Sequence, residues 1–160
     1  MIVKHTLEMV HDKDSEILIL GSFPSVKSRE YNFYYMHPQN RFWKMLEGVY
    51  LDNFTSSSIE TKKMLLKKHH LSLYDVVEEC TITGSSDASL KVVKYSDIDY
   101  FINSSKINKI ILNGKLSYNH FIKKYPHYKD IAYYLPSTSP ANARTSLDEL
   151  IKNYKRIINL

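Results

Sequence analysis

The chain carries one cysteine, Cys80, in 160 residues. A lone thiol closes no internal disulfide and holds no iron–sulfur cluster, and it suits a reducing compartment. No apolar run is long enough to cross a bilayer, and the opening MIVKHTLEMV lacks the basic flank, apolar stretch and small-residue cleavage site of a secretory leader. These absences lead to the expectation of a cytoplasmic protein with no membrane partner. The seven histidines show no His-x-x-x-His spacing, and His69 and His70 are adjacent, so no metal site is expected. Neither a Gly-x-x-x-x-Gly-Lys-Ser/Thr loop nor a Gly-x-Ser-x-Gly elbow occurs, which argues against a P-loop nucleotidase and a typical serine hydrolase. There is no internal repeat and no low-complexity linker.

What is present fits one domain spanning 1–160, large enough to bury a single core. Apolar residues at 43% and charged residues at 24% are ordinary for a globular chain. The net charge of +5 makes an anionic partner reasonable, since clustered cations release counterions on binding phosphate. The signal is weak, because Lys, Asn, Ile and Tyr are all abundant. Lys62-Lys63, Lys67-Lys68 and Lys123-Lys124 read first as solvated helix faces. Of the thirteen tyrosines, most are packed ring surface and only a few are available to stack on a base.

The continuous run Ile17-Leu18-Ile19-Leu20, ended by Gly21, predicts a strand buried on both faces, the hallmark of a parallel sheet. Pro38 predicts the first turn of a helix to about residue 50, with Phe42, Trp43, Leu46, Val49 and Tyr50 on one face. Ser57 and Glu60 have capping-box spacing ahead of a lysine-rich helix ending near His69-His70. Leu71 to Val77 reads as strand, Ser96 as the cap of a short helix with Ile98, Phe101 and Ile102, and Lys109 to Leu112 as a second buried strand. A helix through Leu116 and Phe121 follows, then a strand over Ile131–Leu135, a loop over Pro136–Arg144, and a last helix opened by a capping box at Ser146 and Glu149. Strands alternating with helices imply a three-layer α/β/α sandwich around a central, mainly parallel four-stranded sheet. Its ligand cleft lies beyond the carboxyl ends of the strands, in the loops after Leu20, Val77, Leu112 and Leu135.

Gly21-Ser22-Phe23-Pro24-Ser25, followed by Tyr34-Tyr35-Met36-His37-Pro38-Gln39-Asn40-Arg41-Phe42-Trp43, resembles the first motif region of the uracil-DNA glycosylase superfamily. Ser137-Thr138-Ser139-Pro140-Ala141-Asn142-Ala143 resembles its second motif and looks most like the hypoxanthine branch, as do Leu73–Val77 and Gly84–Asp87. The resemblance runs from Ile17 to the end and leaves the first sixteen residues outside. It implies a cofactor-free, monomeric, monofunctional enzyme that hydrolyses the N-glycosidic bond of deaminated bases in DNA, hypoxanthine or uracil.

One departure bears on mechanism. Many superfamily members carry Asn or Asp inside the Gly-x-x-Pro turn, where this chain has Ser22 and Phe23. By resemblance to the hypoxanthine branch, the catalytic amide is Asn40. Cleaving the C1′–N bond passes through an oxocarbenium-like state, and a carboxamide can orient water or donate to the departing base. The alternative for Asn40 is a purely local role, bonding backbone at the helix start. Tyr35 matches the family's stacking aromatic, while Phe23 is either a second stacking face or core. Ser22 is read as a backbone donor or a plain turn. Asp75 is the best carboxylate in the cleft, as acceptor of a base N–H or auxiliary base, with a cap or salt bridge as the competing reading. Asn113 and Asp87 complete the pocket candidates, both ranked lower because turn residues of these types usually serve local backbone hydrogen bonds. Ser137, Ser139, Asn142 and Arg144 are the expected DNA contacts, by resemblance to a loop that pinches phosphate while a nucleotide is flipped. A second functional class also fits, a non-catalytic binder of damaged DNA that lost the turn amide.

Overall fold

Leu18, Ile19 and Leu20 are fully buried, as a strand covered on both faces requires. The computed structural model describes residues 1–160. In chain order it forms β1 (Val3–Lys4), β2 (Ile17–Gly21), α1 (Val26–Tyr31), α2 (Phe42–Tyr50), α3 (Ile59–Lys68), β3 (Leu71–Asp75), β4 (Val77–Thr81) and β5 (Lys91–Tyr95). There follow α4 (Ile98–Asn103), β6 (Lys109–Asn113), α5 (Lys115–Lys124), β7 (Ala132–Leu135) and α6 (Leu147–Ile158). Short 3₁₀ turns lie at Asp87–Ser89 and Pro126–Ile131. No helix is long and apolar enough to cross a membrane.

The central sheet has strand order β3-β2-β6-β7 and is parallel throughout. Its connections fix the layers. The crossover from β2 to β3 runs one way along the sheet, and those from β3 to β6 and β6 to β7 run the other. Right-handed crossovers therefore place α2 and α3 on one face and α4 and α5 on the opposite one. The last helix, α6, packs beside α2. Gly48 makes that approach possible, since a Cβ there would stand 2.4 Å from Ile151 Cδ1. The Tyr50 and Tyr154 hydroxyls share a hydrogen bond of 2.8 Å across the same seam.

Five boundaries differ from the sequence reading. Residues 38–41 are not helical and α2 begins at Phe42, because the side chains of this segment take the first amides. Gln39 N–H donates to His37 Nδ1 at 3.1 Å and Phe42 N–H donates to Asn40 Oδ1 at 2.9 Å. The expected strand over Leu71–Val77 divides at Val76, beyond which β4 enters a second, antiparallel sheet of order β1-β4-β5 that periodicity did not reveal. Asp97, not Ser96, caps α4 through Tyr100 N–H, and the Ser96 hydroxyl donates instead to the Asp75 carbonyl at 2.6 Å. The cap of α3 is Ser58, one residue later than expected, and Ile131 ends a 3₁₀ turn before β7.

The capping box at Ser146 forms as read: its hydroxyl accepts from Glu149 N–H at 3.2 Å and the Glu149 carboxylate accepts from Ser146 N–H at 3.2 Å. The box sets where the chain leaves the loop after β7 and enters α6. Replacing Ser146 by Ala removes one N-terminal acceptor and lowers unfolding free energy by about 1 kcal/mol, measurable as an earlier denaturant midpoint at unchanged slope.

Candidate active site

The order β3-β2-β6-β7 has a switch point between β2 and β6, where crossovers depart to opposite faces and leave a crevice beyond the strand ends. A cavity of about 840 Å³ occupies it. Gly21–Ser25, Asp75, Asn113–Ser117 and the loop after β7 line it, with Ser85, Ser86 and Asp87 on the far rim. That rim is the β4–β5 turn, drawn over by Val26 N–H to Ser85 Oγ at 2.9 Å and Arg29 to the Gly84 carbonyl at 2.9 Å.

Tyr35 and Asn40 both face this cavity. Tyr35 sits at φ 56, a left-handed conformation unusual for an aromatic residue. Its ring stacks on Phe42 with centroids 3.9 Å apart and planes 20° apart, which leaves one face for the cavity. The Tyr35 hydroxyl is buried with no hydrogen-bond partner. Burial, then the nearby Asp75 charge, push its pKa far above the ordinary phenol value, and the Asn113 amide opposes them weakly. The Asn40 oxygen already accepts from Phe42 N–H, while its amide NH₂ donates to no protein group. Asn40 thus anchors the start of α2 and still offers two N–H donors to the cavity.

Phe23 is half-buried and meets His5 edge-on, ring centroids 6.1 Å apart at 86°, with the Arg29 guanidinium 5.6 Å over its face. The Ser22 carbonyl accepts from Val77 N–H at 3.0 Å, so the Gly-x-x-Pro turn is stitched to the chain leaving β3.

Asp75 ends β3 and is 3% exposed. His5 Nε2 lies 2.8 Å from its Oδ2, across seventy residues of sequence. The Gly21 Cα pairs in register with Asp75, and a Cβ on Gly21 would stand 2.6 Å from Asp75 Oδ1 and 3.0 Å from the Tyr35 hydroxyl. Glycine is needed here for that close approach, not for an unusual φ.

The loop after β7 is held from two sides. Asn113 uses both ends of its amide on Thr138, donating to Oγ1 at 3.0 Å and accepting from the Thr138 N–H at 3.1 Å. Asn113 lines the cavity, but its polar atoms serve this tether. Arg41 donates to the carbonyls of Thr145, Ser139 (3.2 Å) and Asn142 (2.8 Å), and its own N–H reaches the Thr138 carbonyl at 3.1 Å. Ser137 Oγ and Ser139 Oγ accept from Ser139 N–H and Ala141 N–H, at 3.1 and 3.2 Å. Asn142 turns its NH₂ back to the Ser137 carbonyl at 3.0 Å and Thr145 Oγ1 at 3.1 Å, so entering a duplex requires those bonds to open. Arg144 is exposed on the cavity rim.

Residues 9–159 match the family model described as the uracil DNA glycosylase superfamily. The chain belongs to this superfamily. It is a DNA glycosylase. It is 30% identical over 150 residues to the hypoxanthine DNA glycosylase of Methanosarcina acetivorans, covering 91% of this chain and 92% of that one. To the protein of that name in Methanosarcina barkeri it is 30% identical over 139 residues, covering 85% and 86%. Its fold superposes with a TM-score of 0.82 and 28% identity on the solution NMR structure of a Methanosarcina acetivorans protein proposed to be a uracil DNA glycosylase, over 99% of both chains. The match starts at residue 9, earlier than the motifs beginning at Ile17 indicate.

Three residues that hold the walls of the glycosylase's cavity in place escaped the sequence reading. Arg41 stood inside the motif, but nothing local says that it reaches a loop about a hundred residues on. Thr138 looked like one more hydroxyl in a turn. His5 carried no signal, being a lone histidine before the first recognised motif. Two expectations follow from this geometry. Arg41→Lys loosens the loop, because one ammonium cannot replace a planar fork on three carbonyls; amide exchange across 138–145 accelerates and base release slows roughly ten- to hundredfold. Gly21→Ala displaces the Asp75 carboxylate, and base release falls by roughly tenfold or more while the far-ultraviolet spectrum is unchanged.

Proposed function

We propose that this glycosylase hydrolyses the N-glycosidic bond of deaminated bases in DNA, hypoxanthine first and uracil second, leaving an abasic site. The observation that carries the reading is one cavity at the sheet's carboxyl edge that brings together Asn40, Tyr35 and Asp75 beneath the clamped Ser137–Thr145 loop. Relatives named hypoxanthine DNA glycosylase, matched over nine-tenths of the chain in one case, support the choice of base.

In this reading the target nucleotide rotates out of the duplex and its base lies on the open face of Tyr35, with Phe23 and the Ser22 turn as the wall; stacking of this kind is worth roughly 1–3 kcal/mol per base. Asn40 acts electrostatically. Its NH₂ donates to the departing base or orients water, the form of help that an oxocarbenium-like transition state needs when the leaving group carries away negative charge. Asp75 accepts a base N–H. Asn113 contributes as the anchor that keeps the loop over the base. Ser137 and Ser139 approach phosphate, Arg144 pairs with it, and Asn142 swings from its loop bonds into the vacated stack. The lysine on the cavity wall, Lys115, is exposed, and strand cleavage by the protein itself is not part of the proposal.

The test is incubation with duplexes bearing a single hypoxanthine or uracil, followed by alkali to break abasic sites. Wild-type protein yields breaks at the damaged position only after alkali, and Asn40→Ala lowers the rate by roughly a hundredfold or more. Binding without breaks on any deaminated base would establish a non-catalytic damaged-DNA binder, the reading that Ser22 and Phe23 in the Gly-x-x-Pro turn favour.

A further inference from the structure

Deamination inverts two neighbouring hydrogen-bonding positions: the exocyclic amino donor becomes a carbonyl acceptor, and the ring nitrogen beside it becomes a donor. Adenine N1 and cytosine N3 are acceptors, whereas hypoxanthine N1 and uracil N3 carry a hydrogen. A group that can only accept, facing the ring nitrogen and not the exocyclic group, therefore distinguishes the damaged bases from their parents. The buried carboxylate of the cavity is Asp75, and one of its oxygens is unused: Oδ2 is 2.8 Å from His5 Nε2, while Oδ1 receives no hydrogen bond and lies beside Gly21.

His5 is built to hold that carboxylate and nothing else. Its side chain is 0% exposed and is not part of the cavity wall. Its backbone N–H donates to the Glu78 carbonyl at 2.8 Å, and its ring lies 4.3 Å from that of Tyr74, with Phe23 and Tyr34 each at 6.1 Å. Nδ1 is buried without a partner, so the single proton of a neutral imidazole belongs on Nε2, donating to Asp75. Without that donor the carboxylate would be buried with neither oxygen bonded, free to rotate about its last torsion.

We propose that His5, reaching in from the N-terminal strand, is a positioning residue that fixes Asp75 so that Oδ1 accepts the ring N–H that deamination creates, and that this pair selects deaminated bases over adenine and cytosine. The inference rests on the glycosylase cavity being the base pocket, and it adds the chemical feature that the pocket reads. A base that keeps a ring lone pair at that position would face a second acceptor, the carboxylate of a residue only 3% exposed.

The experiment measures binding to three matched duplexes, carrying hypoxanthine, adenine or an abasic site, for the full chain with Asp75→Asn, His5→Leu, His5→Gln and the His5→Leu/Asp75→Asn pair. Leucine fills the imidazole volume without a donor, and glutamine restores an N–H at similar reach. Asp75→Asn and His5→Leu are expected each to lower the hypoxanthine-over-adenine preference roughly ten- to hundredfold. The double variant is expected to lose no more than Asp75→Asn alone, as groups acting through one contact do. His5→Gln recovers most of the preference, and abasic-duplex affinity stays at the wild-type level throughout. His5→Leu with wild-type preference, losses that multiply in the double variant, or equal losses on the abasic duplex each overturn the proposal. Wild-type protein that prefers hypoxanthine yet releases no base removes the catalytic reading alone and supports this one. Absence of any preference removes this inference even if base is released.

Discussion

The parallel register of β2 against its neighbours is the constraint from which the site follows. Because Gly21 is paired with Asp75 and Leu20 with Leu112, the strand ends are level, and Gly21, Ser22, Asp75 and Asn113 line the same crevice. Main-chain pairing of a strand buried on both faces allows no one-residue slip, since slipping would turn every side chain to the other layer. The absence of a side chain at Gly21 then lets a carboxylate and a phenol approach one backbone point from two directions. A site assembled this way is as rigid as the sheet that carries it.

Against that rigid floor, the part expected to meet DNA is a loop with little regular structure, and its order comes from two polar anchors. Asn113 grips Thr138 from the end of β6, and Arg41 gathers carbonyls from Ser139 to Thr145. Carbonyls that would otherwise point into solvent are collected on one guanidinium, leaving the outer surface of the loop to Ser, Asn and Arg144. The same division of labour appears within Asn40, whose oxygen starts α2 and whose NH₂ faces the cavity. Local capping and a role toward ligand are not alternatives when one amide carries two different atoms.

The cationic balance of +5 has little to do with the cavity floor. Of the charged residues that line the cavity, Asp75 is buried among a phenol and amides, while Asp87, Lys115 and Arg144 are exposed. That arrangement suits a process in which phosphate contacts hold the duplex outside and hydrogen bonds read one base inside.

Much of the scaffold was legible because it is written in short-range patterns. Doubly buried runs announced β2 and β6, a three- and four-residue stripe with a capping box announced α6, and the Gly-x-x-Pro and His-Pro-x-Asn strings marked where chemistry gathers. What failed depended either on side chains that compete for nearby backbone amides or on partners far along the chain. Residues 38–41 read as helix until His37 and Asn40 took their amides, and Leu71–Val77 read as one strand although Val77 belongs to a second sheet with β1 and β5. The sequence alone determined the sheet, its alternating helices and the loops that meet at its edge, since periodicity and capping act over a few residues. Tertiary structure alone decided that His5 bonds Asp75, that Arg41 clamps the loop after β7, and that Asn113 tethers Thr138, because those contacts join segments whose proximity exists only once the sheet has closed.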